Sequence, residues 1–127
     1  MKENDKIKLL FEKLIASEKH LFPVKGKVNR TTKHGVYVIY SPLNEVLHVG
    51  RTTYGKNGLN GRLSNHITKA GVFYREYLKR HNIEMRGAYF FQYIEISDSR
   101  QRALLEALTA GKLCPVHIGI GIQKNKK

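Results

Sequence analysis

Apolar residues Ile7, Leu10, Phe11, Leu14 and Ile15 recur at helical spacing, with Lys6, Lys8, Glu12, Lys13 and Glu18 around the other side. The pattern predicts an amphipathic N-terminal helix of roughly three to four turns, packed on the core or against a partner. It stops at Pro23. From there to His34 the chain carries Lys25, Lys27, Arg30 and Lys33 without an acid. This stretch reads as a basic loop, either a solvated connector or an arm that contacts phosphates. Gly35 to Tyr40 is rich in valine, isoleucine and tyrosine, and Val46 to Val49 follows Ser41-Pro42-Leu43-Asn44. Two strands joined by a turn are expected. A turn that pairs Tyr40 with Glu45 would set Tyr37 opposite His48, on one sheet face. A loop one residue longer, without a bulge, would put the two on opposite faces.

Arg51 to Gly61, with Gly55, Gly58, Gly61 and Lys56, reads as a flexible basic loop. It lacks the Lys-Ser/Thr ending of a nucleotide-binding P-loop. Asn60 is a candidate N-cap for a helix through Arg62, Leu63, His66 and Ile67, ended or broken by Gly71. A further helix is expected from Val72 to about Arg80. Ala88 to Ile96 is a third strand, dense in aromatics and apolar on both faces, so covered on both. Asp98 with Gln101 suggests a capping box. The helix it opens would bury Ala103, Leu104, Ala107 and Leu108 and end near Gly111 and Pro115. Gly119 and Gly121 keep the next stretch irregular, and Lys124-Asn125-Lys126-Lys127 forms a basic tail. The expected class is α/β of the α+β type. It has a small three-stranded antiparallel sheet flanked by helices, plus the extra N-terminal helix. The parts are 1–34 (helix and basic loop), 35–122 (the main unit) and 123–127 (the tail).

Charge narrows the function. The 127 residues carry 23 Lys plus Arg against 10 Asp plus Glu, a net charge of +13. Such an excess repels itself and points to a polyanionic partner, with nucleic acid ahead of an acidic membrane surface. Apolar runs are too short for a spanning helix of about 20 residues, and the charged N-terminus lacks a signal-peptide core. A single cysteine, Cys114, excludes an internal disulfide and a cysteine-rich zinc site and suggests a reduced, cytoplasmic setting.

Hydrolysing a phosphodiester requires an activated water, neutralised phosphate charge, help for the leaving oxygen and a fixed phosphate. A metal ion serves several of these roles and takes oxygen ligands, usually carboxylates. Most acids here sit at turns, caps or in the first helix. Glu106 stands out because it lies within Ala103-Leu104-Leu105-Glu106-Ala107-Leu108, where an unpartnered carboxylate is costly. It is a metal-ligand candidate, or it sits at the edge of the stripe or pairs with an arginine. Few nearby acids argue against two metals. Arg62 and His66 are four apart on one expected helix and share a face. They could present a guanidinium and an imidazole to one phosphate, or belong to a solvated basic face.

Gly35-Val36-Tyr37 and His48-Val49-Gly50, followed by Arg62, the aromatic strand and Glu106, resemble the ordered signature of the GIY-YIG nuclease superfamily. The resemblance covers about Gly35 to Ile118. It implies two adjacent antiparallel signature strands, a helix bearing an essential arginine (Arg62) and a later helix bearing the metal-binding glutamate (Glu106). His66 resembles the histidine that some restriction-type members carry one turn after the arginine. Two departures are visible. His48 replaces the second signature tyrosine. The asparagine many members carry after the glutamate helix is absent, with His117 a possible polar substitute.

The resemblance implies an endonuclease using one Mg²⁺ or Mn²⁺ ion. Tyr37, His48, Arg62, His66 and Glu106 would be catalytic, and Glu106 would also hold the metal. Tyr37 or His48 would orient or deprotonate the water, with Lys33 lowering the pKa of the tyrosine. Lys33, Arg51, Lys56, Lys69, Arg75, Lys79 and Arg80 are the candidate phosphate contacts. DNA is favoured over RNA as the partner, with no membrane, and the chain is expected to be a monomer or weak homodimer. The competing expectations are a domain that binds nucleic acid without cutting it, and a basic structural protein of a ribonucleoprotein.

Overall fold

The computed structural model describes residues 1–118. In chain order the elements are α1 (Glu3–Ala16), β1 (His20–Leu21), β2 (Gly35–Tyr40), β3 (Val46–Arg51) and α2 (Gly58–Ile67). They continue with α3 (Gly71–Phe73), β4 (Phe90–Glu95) and α4 (Ser99–Leu113). From α3 the chain runs on through a π-helical turn, Tyr74–Leu78. The sheet is antiparallel with four strands in the order β1-β4-β2-β3, one more than expected. The added strand is the two-residue β1, too short to leave a periodic trace in the sequence.

β2 divides the core. Tyr37 and Ile39 enter one cluster with Phe22, Leu59, Leu63, Phe73 and Phe91. Val36, Val38 and Tyr40 enter the other with Ile7, Leu14, Val49 and Leu105. All six residues of β2 are buried. Side chains alternate across a strand, so β2 has α2 and α3 over one face and α1 and α4 over the other. The α+β sheet is therefore a middle layer between helices. Gln92, fully buried on β4, ties α1 to it. Its amide donates to Ile15 O (3.3 Å) and Ser17 O (3.0 Å). Ile15 itself is partly exposed and lies outside the apolar stripe expected of α1.

The β2–β3 register differs from the sequence expectation. Tyr40 pairs with Val46, not Glu45, and Tyr37 pairs with Gly50, not His48. The loop is one residue longer, closed by Ser41 N–H to Glu45 O (2.8 Å) and by Ser41 Oγ accepting from Glu45 N–H (3.0 Å). By itself that would have put Tyr37 and His48 on opposite faces. A bulge at Leu47 intervenes, and His48 pairs with Ile39. Parity is restored, and both rings point to the α2 face.

Other local expectations also shift. α2 begins at Gly58, and Asn60 does not cap it. The Asn60 side chain instead accepts from the N–H groups of Arg30 (2.6 Å) and Thr31 (2.9 Å), pinning the basic loop. α2 ends at Ile67, and Gly71 opens α3. Asp98 occupies the N-cap position of α4 without a side-chain cap bond, so the capping box is not formed. The buried face of α4 is Arg102, Leu105 and Thr109, while Ala107 is exposed. Leu104 and Leu108 only flank the core. Gly111 lies inside α4, which ends at Cys114 in a left-handed conformation before Pro115. Gly119, Gly121 and the 124–127 tail lie outside the described residues. Among those described, no helix is long and apolar enough to cross a membrane.

Candidate active site at the outer edge of the sheet

β3 is an edge strand, so groups from both helix layers can reach round it. Tyr37 projects from β2 across β3 at Gly50. A Cβ at position 50 would stand 2.4 Å from the Tyr37 hydroxyl, so the glycine makes room for the ring. The Tyr37 hydroxyl lies 2.8 Å from His66 Nε2 on α2. Burial pushes the Tyr37 pKa up to about 12, opposed by the charge and hydrogen bond of Arg62 and reinforced by the charge of Glu106. Tyr37 is thus a neutral phenol. The cation acting on it is Arg62, not the expected Lys33, which is exposed before β2.

His48 stacks flat on Phe73, with centroids 4.3 Å apart and planes at 12°. Phe73 also meets His66 edge-on at 5.2 Å and His117 at 5.1 Å, so one apolar ring packs against three imidazoles. Burial, then neighbouring His117 and Arg62, lowers the His48 pKa to about 3. Burial, then His48, Arg62 and His117, holds His66 well below the usual histidine range. Both rings are neutral at physiological pH. His66 Nδ1 is buried and makes no hydrogen bond among the described residues.

His117 reaches the cluster because the chain turns back after α4 and runs along the outer edge of β3. Val116 N–H donates to Val46 O (3.1 Å), and His117 N–H donates to Leu47 O (2.9 Å). Consecutive carbonyls of a regular strand face opposite sides. Here the bulge turns two of them outward. His117 Nε2 lies 3.1 Å from Glu76 Oε1, and its Nδ1 lies 3.2 Å from His48 Nδ1. With His117 neutral and its Nε2–H donated to Glu76, its Nδ1 accepts and His48 donates from Nδ1, which makes His48 Nε2 a lone-pair nitrogen.

On the other helix layer, Glu106 on α4 pairs with Arg51 at the end of β3 (2.5 Å), both side chains about one-third exposed. Arg51, Lys56 and Arg62 line a cleft of about 320 Å³ between the loop after β3 and α2. Lys69, Arg75, Lys79 and Arg80 are exposed on the turns around α2 and α3. Among the described residues no three His, Cys, Asp or Glu side chains are arranged to hold a metal. One carboxylate suits an ion that keeps most of its shell from water and phosphate, as Mg²⁺ does, and not a four-ligand zinc site. The carboxylate that would serve such an ion, Glu106, is paired with Arg51 here.

The fold thus brings Tyr37, His48, His66 and His117 into contact, with Arg62 and Glu106 close enough to act on Tyr37 electrostatically. Sequence reasoning missed Glu76 and Phe73; it gave pairing with an arginine as one alternative for Glu106, and the partner is Arg51. Nothing local marks them, because each acts through a partner distant in the chain. No family model and no curated protein matches this chain.

Proposed function

We propose that this chain is a GIY-YIG-like, divalent-metal-dependent endonuclease that hydrolyses phosphodiester bonds in nucleic acid, with DNA favoured. The observations that support the reading are the Tyr37–His66 hydrogen bond and the Arg51–Glu106 pair at one sheet edge, beside a cleft lined by Arg51, Lys56 and Arg62. Glu106 would hold one Mg²⁺ or Mn²⁺, which when bound neutralises phosphate charge. Arg62 stabilises the charge that grows on the phosphate oxygens. The Tyr37 hydroxyl is closed to solvent and bonded to His66, so it orients the water only after the site opens; its high pKa opposes a phenolate base. His48 Nε2 accepts a hydrogen bond from that water, its tautomer held through His117. Arg51, freed from Glu106, and Lys56 hold the phosphate backbone, so binding falls steeply with salt. The reading includes a reduced, cytoplasmic setting and a monomer or weak homodimer.

The test is cleavage of labelled single-stranded DNA, duplex DNA and RNA with Mg²⁺, Mn²⁺ or EDTA. Metal-dependent cutting that disappears in Glu106→Ala and Arg62→Ala is the expected result. Near-normal cutting by either folded variant defeats the residue assignment. The second reading is a module that binds nucleic acid without cutting it. The Arg51–Glu106 ion pair favours it, since it occupies the carboxylate the metal needs. Salt-sensitive binding with no cleavage on any substrate would establish that reading instead.

A further inference from the structure

The loop between β3 and α2 is held at several points. Arg102, buried on α4, donates from Nε to Thr52 O (2.9 Å) and from Nη2 to Thr53 O (3.2 Å). Thr52 Oγ1 lies 2.7 Å from His34 Nδ1, and His34 Nε2 lies 2.9 Å from Gly55 O. Beyond the loop, Leu59 N–H donates to Lys33 O (2.9 Å), fixing the start of α2. Between these anchors Tyr54 stands 88% exposed. Its exposure belongs to a tethered loop. It lines the same cleft as Arg51, Lys56 and Arg62.

A large aromatic ring normally gains by burying its faces. Here it is held out beside cations that suit phosphate. That pairing of a basic groove with an exposed ring is the chemistry that binds unpaired nucleotides, where each base offers a π-face for stacking. Bases inside a duplex offer groove edges instead, because their faces are already stacked. The cleft, about 320 Å³, lies at the small end of the roughly 300–1,000 Å³ typical of small-ligand sites.

We propose that Tyr54 is a base-stacking platform, and that the cleft takes an unpaired nucleotide of a nucleic-acid strand with its phosphate toward Arg51 and Arg62. The proposal rests on reading this cleft as the substrate site of the nuclease. Because Tyr54 is exposed and makes no hydrogen bond to the other described residues, replacing it leaves the fold intact.

The experiment is fluorescence anisotropy in EDTA, so that cleavage does not intervene. The probes are labelled oligothymidylate, oligouridylate and an abasic deoxyribose-phosphate chain of equal length. Tyr54→Ala is expected to bind the base-bearing strands about 5- to 150-fold more weakly and the abasic chain unchanged. Tyr54→Phe, which keeps the ring, should bind like the wild type. A larger loss on oligothymidylate or on oligouridylate identifies DNA or RNA as the preferred strand. Wild-type affinity of Tyr54→Ala for both base-bearing strands overturns the proposal, as does an equal loss on the abasic chain. In either case metal-dependent cleavage by the wild type leaves the nuclease reading standing. Failure of the wild type to bind any of these probes overturns the proposal, while metal-dependent cleavage of duplex DNA would still leave the nuclease reading standing.

Discussion

Gly50→Ala changes the site without touching a charge. The added Cβ would lie 2.4 Å from the Tyr37 hydroxyl and 2.5 Å from Cζ, well inside the ordinary carbon contact of about 3.5–4.0 Å. Gly50 lies within β3 and is not among the positive-φ glycines, so alanine costs nothing in the backbone. The effect is steric and falls on a ring with no exposed surface. Overpacking of this kind costs about 1–3 kcal/mol. Displacing the hydroxyl from His66 leaves buried polar atoms unpaired and adds about 1–3 kcal/mol. The expected loss is thus about 2–6 kcal/mol in urea denaturation. Tyr37→Ala removes the clashing ring, so in its background Gly50→Ala should be nearly free, giving strong coupling in a double-mutant cycle. A cost below about 0.5 kcal/mol for Gly50→Ala, the range of a neutral surface change, would refute the packing argument. So would simple additivity with Tyr37→Ala.

Acid should destabilise the fold through the imidazoles. His48 falls from 6.5 to about 3 on folding. Its unfolded ring therefore takes a proton below pH 6.5 that the native ring refuses. Stability is flat above pH 6.5 and is lost as pH falls toward 3. His66 shifts in the same direction, and each ring contributes a slope of at most about 1.4 kcal/mol per pH unit. Denaturation midpoints that do not move between neutral pH and about pH 5 would contradict this. The tautomers are directly readable by ring ¹⁵N NMR, with His117 protonated at Nε2 and His48 at Nδ1; Glu76→Ala should release both into mixtures. The opposite tautomers in the wild type would break the Glu76–His117–His48 chain. Arg102→Lys should cost about 2–4 kcal/mol, because an ammonium cannot serve the carbonyls of Thr52, Thr53, Ile96 and Ser97 together. Amide exchange at 53–55 should rise with it, and unchanged exchange would mean the loop is not anchored there.

Local signals were legible where one short segment carried the whole message. The apolar run at Gly35–Tyr40 marks a buried strand, and the spacing from Ile7 to Leu14 marks α1. The misreadings have a common cause in distant partners. Asn60 has the composition of a cap, but the N–H groups of Arg30 and Thr31 claim its side chain. Arg102 and Thr109 are polar yet buried, while apolar Ala107 faces outward, so the stripe drawn from hydropathy alone missed the buried face of α4. The Tyr37–His48 face was anticipated on the wrong register. A longer loop and the Leu47 bulge offset each other, and no residue type announces either. Tyr37, Arg62, His66 and Glu106 were singled out by their order along the chain. Phe73, Glu76 and the space above Gly50 exist only once the layers are assembled.

The backbone bonds from Val116 and His117 have a consequence for how molecules meet one another. An exposed edge strand offers a row of unpaired amides and carbonyls on which another chain can build. The outward carbonyls of Val46 and Leu47 are already taken, and at the opposite side the sheet ends in the two-residue β1. Removing the chain from Cys114 onward would strip that cover from β3 and open a hydrogen-bonding template beside the histidine cluster. The turn that seats His117 thus also keeps one molecule's sheet from growing into the next.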